Sequence, residues 1–525
     1  LFLTVTAGLA LASWVTVGIL AKRQMIADVD VFARAKLSQW LGLSLVGTVV
    51  VLAFAVIDSS GEALSVWIRA DQSLWPMKGG GLAATLGALV AATSRLWPLL
   101  GKPSDTRHLS LPKSVVAGIA ALIVVGGILV AIATLTHLLA QKAVFEAACL
   151  TVGAIVLSML FGLTLRFINS SSHQALYANR LTRAYLGASN PRRYMMATGQ
   201  RLSDPIPGDN IGWGPYAPFA AGGPLHVVNI TLNETVSGAS QIEQRDRKGL
   251  PMAVGPCGLS GGGTSHALWR QLGDDEQHPE ITWRARLLGP STDWVKPIPA
   301  ADGPFHMFAG AALHAHDVEA LTVGAWTAIS GAAFSTGLGA RTSLALSMLL
   351  GVANVRLGYW WDSHVKPYDR DGVRTEPTRA SRIAERVNAL FPVQTHLFQE
   401  FTARFFGPHR RRWYLTDGGH FENTACYELL RRRVPFIIAC DNGQDGAYSF
   451  EDLGNLVRKA RIDFRAEIVF LSRSDIETRV DPVLHRVIGE FEHHPFGRQQ
   501  CLILFNQRVL RFGKNAHEIV LAEGT

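Results

Sequence analysis

Residues 413–433 read WYLTDGGHFENTACYELLRRR and join a short apolar run, an acid with two glycines, and a helical pattern. The run WYLTD (413–417) predicts a buried strand, because it is short, apolar and bounded by turn residues. Asp417, Gly418 and Gly419 then predict a tight turn in which the backbone can approach a ligand closely. The Asp417 carboxylate would lie at the sheet edge as a general base or metal ligand, or belong to an ordinary Asp-Gly turn.

Other apolar runs along the second half of the chain also predict strands. They alternate with helical patterns, which favours a mainly parallel α/β sheet covered on both faces. In such a sheet, chemistry gathers at the carboxyl ends of the strands. The further strands are LHVVNITLN (225–233), PFIIACD (435–441), AEIVFLS (466–472) and QCLILFN (500–506), and the helical patterns are 342–356, 379–390, 421–433 and 450–461.

The first third of the chain is much more apolar than the rest. Of the 525 residues, 48% are apolar and only 18% are charged, against about 25% charged in a soluble domain. This apolar excess precedes residue 169, which predicts a transmembrane region at 1–168 and a soluble region at 169–525. Five spans are predicted, at 1–20, 41–57, 79–100, 114–139 and 145–168.

Charges and cysteines indicate the compartment. Basic residues between the first two spans, such as Arg23 and Arg34, predict a cytoplasmic loop, and five spans then place the soluble region on the cytoplasmic side. The five cysteines are scattered without CxxC spacing, which argues against a disulfide scaffold or a zinc cluster. The low charge content also argues against a nucleic-acid partner.

Several segments resemble the C-terminal part of patatin-like phospholipases, in particular the large bacterial membrane-associated members. The strongest is YLTDGGHFENTACYELLRRR (414–433), followed by PFIIACDNGQD (435–445). In addition, PLHVVNITLNE (224–234) is similar to the strand before the family's substrate loop. AWTAISGAAF (325–334) is similar to its Ser-Ala-Ala-Pro segment, and NVRLGYW (354–360) to the stretch that follows it.

The resemblance covers about residues 176–475 and implies an acyl hydrolase. In the family, backbone N–H groups of a glycine-rich loop stabilise the oxyanion, a serine on a G-x-S-x-G turn attacks the ester, and an aspartate takes the serine proton. The resemblance makes Asp417 that base, with Gly418 and Gly419 shaping the turn, and assigns His420 no catalytic role. It implies a membrane phospholipid or other acyl ester as substrate, and no metal or cofactor.

The serine nucleophile has three candidate positions. Ser260 in GLSGG (258–262) fits G-x-S-x-G, although a glycine-rich loop follows where a helix is needed. Ser330 follows a longer apolar run, but alanines replace both glycines of the motif, and its resemblance to the Ser-Ala-Ala-Pro segment predicts a pocket-lining serine. We predict the third position, before Leu1, because the family places its serine and oxyanion loop ahead of the matching segments.

The sequence therefore predicts a membrane-anchored patatin-like lipid acyl hydrolase of a bacterial inner membrane, with its soluble domain in the cytoplasm. The alternative is a catalytically silent module of the same fold. That module would sense lipids or serve in assembly while attached to the membrane.

Overall fold

The chain forms two compact units, Leu1–Val156 and Leu157–Thr525. The boundary predicted after residue 168 stays a prediction. The computed structural model describes residues 8, 27–70, 113–139, 144–162, 166–195, 206–212, 216, 218–236, 247–256, 258–262, 265–270, 296–298, 306–311, 321–363, 386–410, 412–434, 436–440, 449–471, 501–507 and 517–523.

The described part of the first unit includes two long helices. They are α1 (Ala27–Arg69) and α2 (Lys113–Leu139). Each contains a stretch long and apolar enough to cross a bilayer, Leu45–Arg69 in α1 and Val116–Leu139 in α2. Helix α1 runs for 43 residues and contains no proline to interrupt it.

The described residues therefore contain two candidate spans where the sequence predicts five. The span predicted at 41–57 lies within the longer helix α1, and the one predicted at 114–139 coincides with α2. The spans predicted at 1–20 (apart from Gly8) and at 79–100 lie outside the described residues.

The span predicted at 145–168 stays a prediction. The described residues in it belong to helix α3 (Val144–Gly162) and helix α4 (Arg166–Ser170), and residues 163–165 lie outside the described residues. The described apolar stretch, Ala148–Gly162, is about 22 Å long at 1.5 Å per residue, against a hydrocarbon core of roughly 30 Å. The Gln394 side chain packs beside Gly162 and donates a hydrogen bond to the Ser158 carbonyl (2.7 Å).

Helices α1 and α2 pack together where small residues meet. A Cβ on Gly61 would lie 2.6 Å from the Ala133 Cβ, so the backbones approach closely there. Nearby, His137 Nε2 lies 2.9 Å from Asp58 Oδ1. Elsewhere large apolar side chains are exposed, for example Leu122 at 75%. An apolar surface of this kind is unusual on a soluble monomer and is typical of helices that face lipid.

The second unit combines short helices with two β-sheets. Its remaining helices are α5 (Gln174–Leu181), α6 (Val323–Ser330), α7 (Leu344–Val352), α8 (Pro392–Phe401), α9 (Cys426–Arg431) and α10 (Glu451–Lys459). Its strands are β1 (Val228–Asn233), β2 (Gly249–Gly255), β3 (Gly258–Gly261), β4 (Ser265–Arg270), β5 (Lys296–Ile298), β6 (His306–Ala311), β7 (Tyr359–Asp362), β8 (Arg412–Asp417), β9 (Phe436–Cys440), β10 (Ala466–Leu471), β11 (Cys501–Gln507) and β12 (His517–Glu523).

Both sheets are mainly antiparallel. The larger has the order β5-β6-β4-β3-β2-β1-β8-β7 and the smaller β10-β12-β11-β9. Between the described strands, only β4 with β6 and β10 with β12 pair in parallel. The prediction of a mainly parallel α/β sheet is therefore wrong, although all five predicted strands form. The difference arises because β1, β2, β3 and β4 follow one another as hairpins, which bring consecutive strands together antiparallel.

Strand β1 is central to the larger sheet and to its core. It lies between β2 and β8, and its register pairs Ile230 with Asp417. Ile230 is fully buried on one face, and Thr231 and Asn233 are fully buried on the other. The Asn233 amide donates to the Thr416 hydroxyl of β8 at 2.8 Å. The end of β8 is thus fixed by a strand that is covered on both faces.

A buried hydrogen-bond network around Glu400 supports strand β8. One carboxylate oxygen of Glu400 accepts from Arg356 (3.1 Å) and from the Trp360 indole (2.8 Å). The other accepts from the Thr336 hydroxyl (3.1 Å), which lies 2.8 Å from the Tyr414 hydroxyl of β8. Burial raises the pKa of Glu400, while Arg356 acts to lower it. The network anchors β8 three residues before Asp417.

Candidate functional site at the end of strand β8

Strand β8 ends at Asp417, and the chain turns at once through Gly418 and Gly419. Asp417 has φ −46° and ψ 134°, and its Oδ1 accepts a hydrogen bond from the Gly419 amide at 2.7 Å. The side chain thereby caps the short turn Gly418–His420, as acidic residues often do at a helical start. The structure places the acid and both glycines at the sheet edge, as the sequence predicts.

Gly418 is required by close packing and not by its backbone angles. A Cβ at position 418 would lie 2.6 Å from the Asn229 carbonyl oxygen and 2.5 Å from the Asn229 side-chain nitrogen. Asn229 is itself held, because its amide donates to the Glu422 carbonyl at 2.8 Å. At Gly419, by contrast, a Cβ would meet the exposed end of the Asn423 side chain at 2.5 Å.

We expect Gly418→Ala to destabilise the protein more than Gly419→Ala. The added methyl at 418 meets backbone that cannot move, which costs about 1–3 kcal/mol for an overpacked site. At 419 the exposed Asn423 side chain can rotate away with the loss of one surface hydrogen bond to Asp452, so that variant is the matched control. Urea unfolding measures both free energies, and equal losses in the two variants would contradict this description of the turn.

The Asp417 carboxylate has an environment suited to a base. Its side chain is partly buried, and this burial raises its pKa, while the hydrogen bond from Gly419 acts to lower it. Within the described part of the chain, no group donates a hydrogen bond to the second carboxylate oxygen, Oδ2. A carboxylate that has a raised pKa and one oxygen with free lone pairs can accept a proton from a bound hydroxyl.

His420 joins the Asp417 turn to the segment after α6. Its Nε2 lies 3.1 Å from the Ala333 carbonyl and its Nδ1 3.0 Å from the Thr416 hydroxyl. A carbonyl only accepts, so Nε2 carries the proton and Nδ1 accepts from Thr416. Burial lowers the pKa of His420 to about 4. Gly339, at φ 53°, has no room for a Cβ beside the His420 carbonyl, so the turn is packed closely on this side too.

The His420 environment predicts a loss of stability in acid. Its pKa is lowered from 6.5 in the unfolded chain to about 4 in the folded protein, so between these values the unfolded state binds more protons. The free energy of unfolding should therefore fall as the pH drops from 6.5 to 4. In His420→Gln, which does not titrate, this fall should be smaller by about 1–3 kcal/mol. Identical pH profiles for the two proteins would contradict the burial of His420 as a neutral imidazole.

Ser330 lies close to the turn but points to a carbonyl. It is the last residue of α6, and its hydroxyl donates to the Asn229 carbonyl oxygen at 2.7 Å. The same carbonyl oxygen packs against Gly418. Ser330 and the Asp417 turn are therefore brought together around Asn229. In this arrangement the Ser330 proton is directed to a peptide oxygen, which is not a base.

Ser260 is placed away from Asp417. It lies within strand β3, paired on both sides, with Ala253 on β2 and His266 on β4. Its hydroxyl accepts a hydrogen bond from Arg431 at 3.3 Å. Strands β1 and β2 separate β3 from β8, which puts their backbones about 14 Å apart at ~4.8 Å per strand. Ser260 is thus in a strand and not on a strand-to-helix turn, and its hydroxyl cannot reach the Asp417 carboxylate.

One residue near Asp417 has no counterpart in the sequence-based prediction. Tyr177 on α5 is partly buried, and both this burial and the charge of Asp417 raise its pKa. Tyr177 lies 240 positions before Asp417 in the chain, and no local pattern in α5 distinguishes it from an ordinary helical tyrosine. Only the packing of α5 against α6 reveals it.

No protein-family model, curated protein or solved structure matched the chain when it was compared with each of these sets. Within the described ranges, no group of three or more His, Cys, Asp or Glu side chains could hold a metal ion.

Proposed function

We propose that the protein is a membrane-anchored, patatin-like lipid acyl hydrolase in which Asp417 is the base of a Ser–Asp dyad. The observation that carries the proposal is the Asp417 carboxylate at the end of β8. One oxygen is held by the Gly419 amide, the other is free of any described donor, and burial raises its pKa. The resemblance of the surrounding sequence to the patatin-like family supplies the reaction class.

The proposed reaction has two halves that use the same carboxylate. Asp417 takes the proton of the serine hydroxyl as the serine oxygen attacks the ester carbonyl, and then returns the proton to the leaving alcohol. In the second half, Asp417 takes a proton from the water that attacks the acyl-serine, and then gives this proton to the serine oxygen as the fatty acid is released. A raised pKa favours the uptake of the proton by Asp417, because the protonated acid is then less costly.

The serine is assigned by the resemblance and by distance. The family places its serine and oxyanion donors before the segments that match, so the proposal takes them from sequence ahead of Leu1. Ser330 is the alternative within this chain, since it lies beside the same Asn229 carbonyl. Ser260 is not chosen, because strands β1 and β2 lie between it and Asp417.

Membrane attachment would supply the substrate. The candidate spans Leu45–Arg69 and Val116–Leu139 are long and apolar enough to cross a bilayer. An enzyme anchored in this way searches for phospholipid in two dimensions, without first extracting it from water. We propose the cytoplasmic side of a bacterial inner membrane for the hydrolase unit, because the basic residues between the first two predicted spans favour a cytoplasmic loop and the five predicted spans then return the chain to that side.

The test is a lipid hydrolysis assay on the full-length protein as encoded, reconstituted into phospholipid vesicles. We expect one fatty acid and one lysophospholipid for each phospholipid consumed, and the same rate with and without a metal chelator. Vesicles whose phospholipid stays intact after prolonged incubation would contradict the proposal and favour the lipid-sensing or assembly module instead.

A further inference from the structure

The hydroxyl of Tyr177 lies beside Gly331 at the end of helix α6. Helix α5 packs on α6, and a Cβ on Gly331 would come within 2.6 Å of the Tyr177 hydroxyl oxygen. Gly331 directly follows Ser330 and forms the C-terminal cap of α6. The phenol can occupy this place because position 331 has no side chain.

The same helix end borders the Asp417 turn. Ser330 donates to the Asn229 carbonyl at 2.7 Å, and a Cβ on Gly418 would lie 2.6 Å from that carbonyl oxygen. Two neighbouring contacts therefore connect Tyr177 with the Asp417 turn. Tyr177 lies beside Gly331, and Ser330, the residue before it, shares the Asn229 carbonyl with Gly418. The charge of Asp417 acts on the Tyr177 phenol, in agreement with this proximity.

The Tyr177 hydroxyl is available as a hydrogen-bond donor. In the part of the chain that the structure describes, no residue accepts a hydrogen bond from it. The hydroxyl is not among the described side-chain atoms that are buried without a partner, so it is open to a ligand, and a ligand oxygen placed there can accept its hydrogen bond. With its pKa raised, the phenol keeps its proton at neutral pH and can donate it in a hydrogen bond.

We propose that Tyr177 is a substrate-binding residue of the Asp417 site, whose hydroxyl donates a hydrogen bond to an oxygen of the bound acyl ester lipid. The inference rests on the proposed function for the identity of the ligand. The oxygen can belong to the ester itself or to the phosphate of the head group, and both accept a hydrogen bond in the same way. Tyr177 forms no covalent bond in this role.

The test compares Tyr177→Phe with Tyr194→Phe in the full-length protein. Tyr194 is 83% exposed, so its variant is the matched control for loss of a hydroxyl. The probe is a non-hydrolysable amide analogue of a phospholipid, presented in detergent micelles. We expect its dissociation constant to rise about 3- to 10-fold in Tyr177→Phe, as for the loss of one neutral hydrogen bond, and to stay unchanged in Tyr194→Phe.

A second variant keeps the hydroxyl but moves it. The methyl of Gly331→Ala would displace the Tyr177 phenol, so binding should weaken there as well, while thermal unfolding confirms that both variants are folded. Hydrolysis of a short-chain neutral ester separates the two sources of the oxygen. If Tyr177→Phe hydrolyses both that ester and phospholipid more slowly, the hydroxyl binds the ester oxygen. If only phospholipid hydrolysis is slower, the hydroxyl binds the phosphate.

The two measurements test the two proposals separately: hydrolysis tests the proposed function, and analogue binding tests the Tyr177 contact. Wild-type protein that binds the analogue but hydrolyses nothing would remove the proposed function and leave the Tyr177 contact intact. Unchanged analogue binding in folded Tyr177→Phe would overturn the inference, whatever the activity. Wild-type protein that does not bind the analogue at all would overturn it too.

Discussion

Asp417→Asn should lower kcat/KM for phospholipid hydrolysis by about 100- to 10,000-fold, the usual contribution of a general base. Asparagine keeps the size of the side chain and can still accept the Gly419 hydrogen bond of the turn. The thermal unfolding temperature should therefore be unchanged or higher, since burial already disfavours the charged carboxylate. Steady-state kinetics and calorimetry on the same preparations measure both quantities.

Asp452→Asn is the matched control for this result. Asp452 accepts a hydrogen bond from Asn423 at 2.7 Å, so it belongs to the same region of the surface without lying at the end of β8. We expect its activity to stay within about twofold of wild type, which corresponds to less than ~0.5 kcal/mol. Equal losses in the two variants would show that the region responds to any lost charge, and the role of Asp417 as base would have to be abandoned.

Arg356→Met should give the largest loss of stability, about 3–5 kcal/mol, because it leaves the Glu400 carboxylate buried without its cation. The two side chains are only 5% and 2% exposed, so water cannot replace the lost partner. Methionine preserves much of the volume, which restricts the effect to charge and hydrogen bonding. Chemical unfolding monitored by circular dichroism measures the difference.

An exposed ion pair provides the comparison for that prediction. In the pair of Arg461 with Glu467 the side chains are 60% and 55% exposed, and Arg461→Met should cost only about 0–1 kcal/mol. The double variant Arg356→Met with Glu400→Leu should recover part of the loss, because no unpaired charge remains. If Arg356→Met and Arg461→Met destabilise equally, the Glu400 network does not support β8 in the way described.

The sequence predicts individual strands better than it predicts their pairing. The runs that form β1, β8, β9, β10 and β11 are short and apolar, and hydrophobic periodicity is a local property that a sequence reveals. Pairing is not local. The strands β2 and β3 fall in a glycine-rich stretch that reads as a loop, so the hairpins that make the sheet antiparallel leave no clear local signal.

In the candidate site, too, the local features are predictable from the sequence and the tertiary contacts are not. The turn after Asp417 is predictable because one short segment contains the strand, the acid and both glycines. The lack of space at Gly418 depends on Asn229, almost two hundred positions earlier, and the approach of Tyr177 depends on the packing of α5 against α6. Such contacts between distant segments are set by tertiary packing, which periodicity and spacing do not contain.

The most direct measurement of the central claim is labelling with a fluorophosphonate probe, which reacts with activated serines. It would be applied to the full-length protein and to its Asp417→Asn variant, and the modified peptide identified by mass spectrometry. We predict one labelled serine in the wild-type protein and a strong loss of labelling in the variant. Equal labelling in both proteins, or no labelled serine in the folded wild-type protein, would contradict Asp417 as the base of a serine hydrolase.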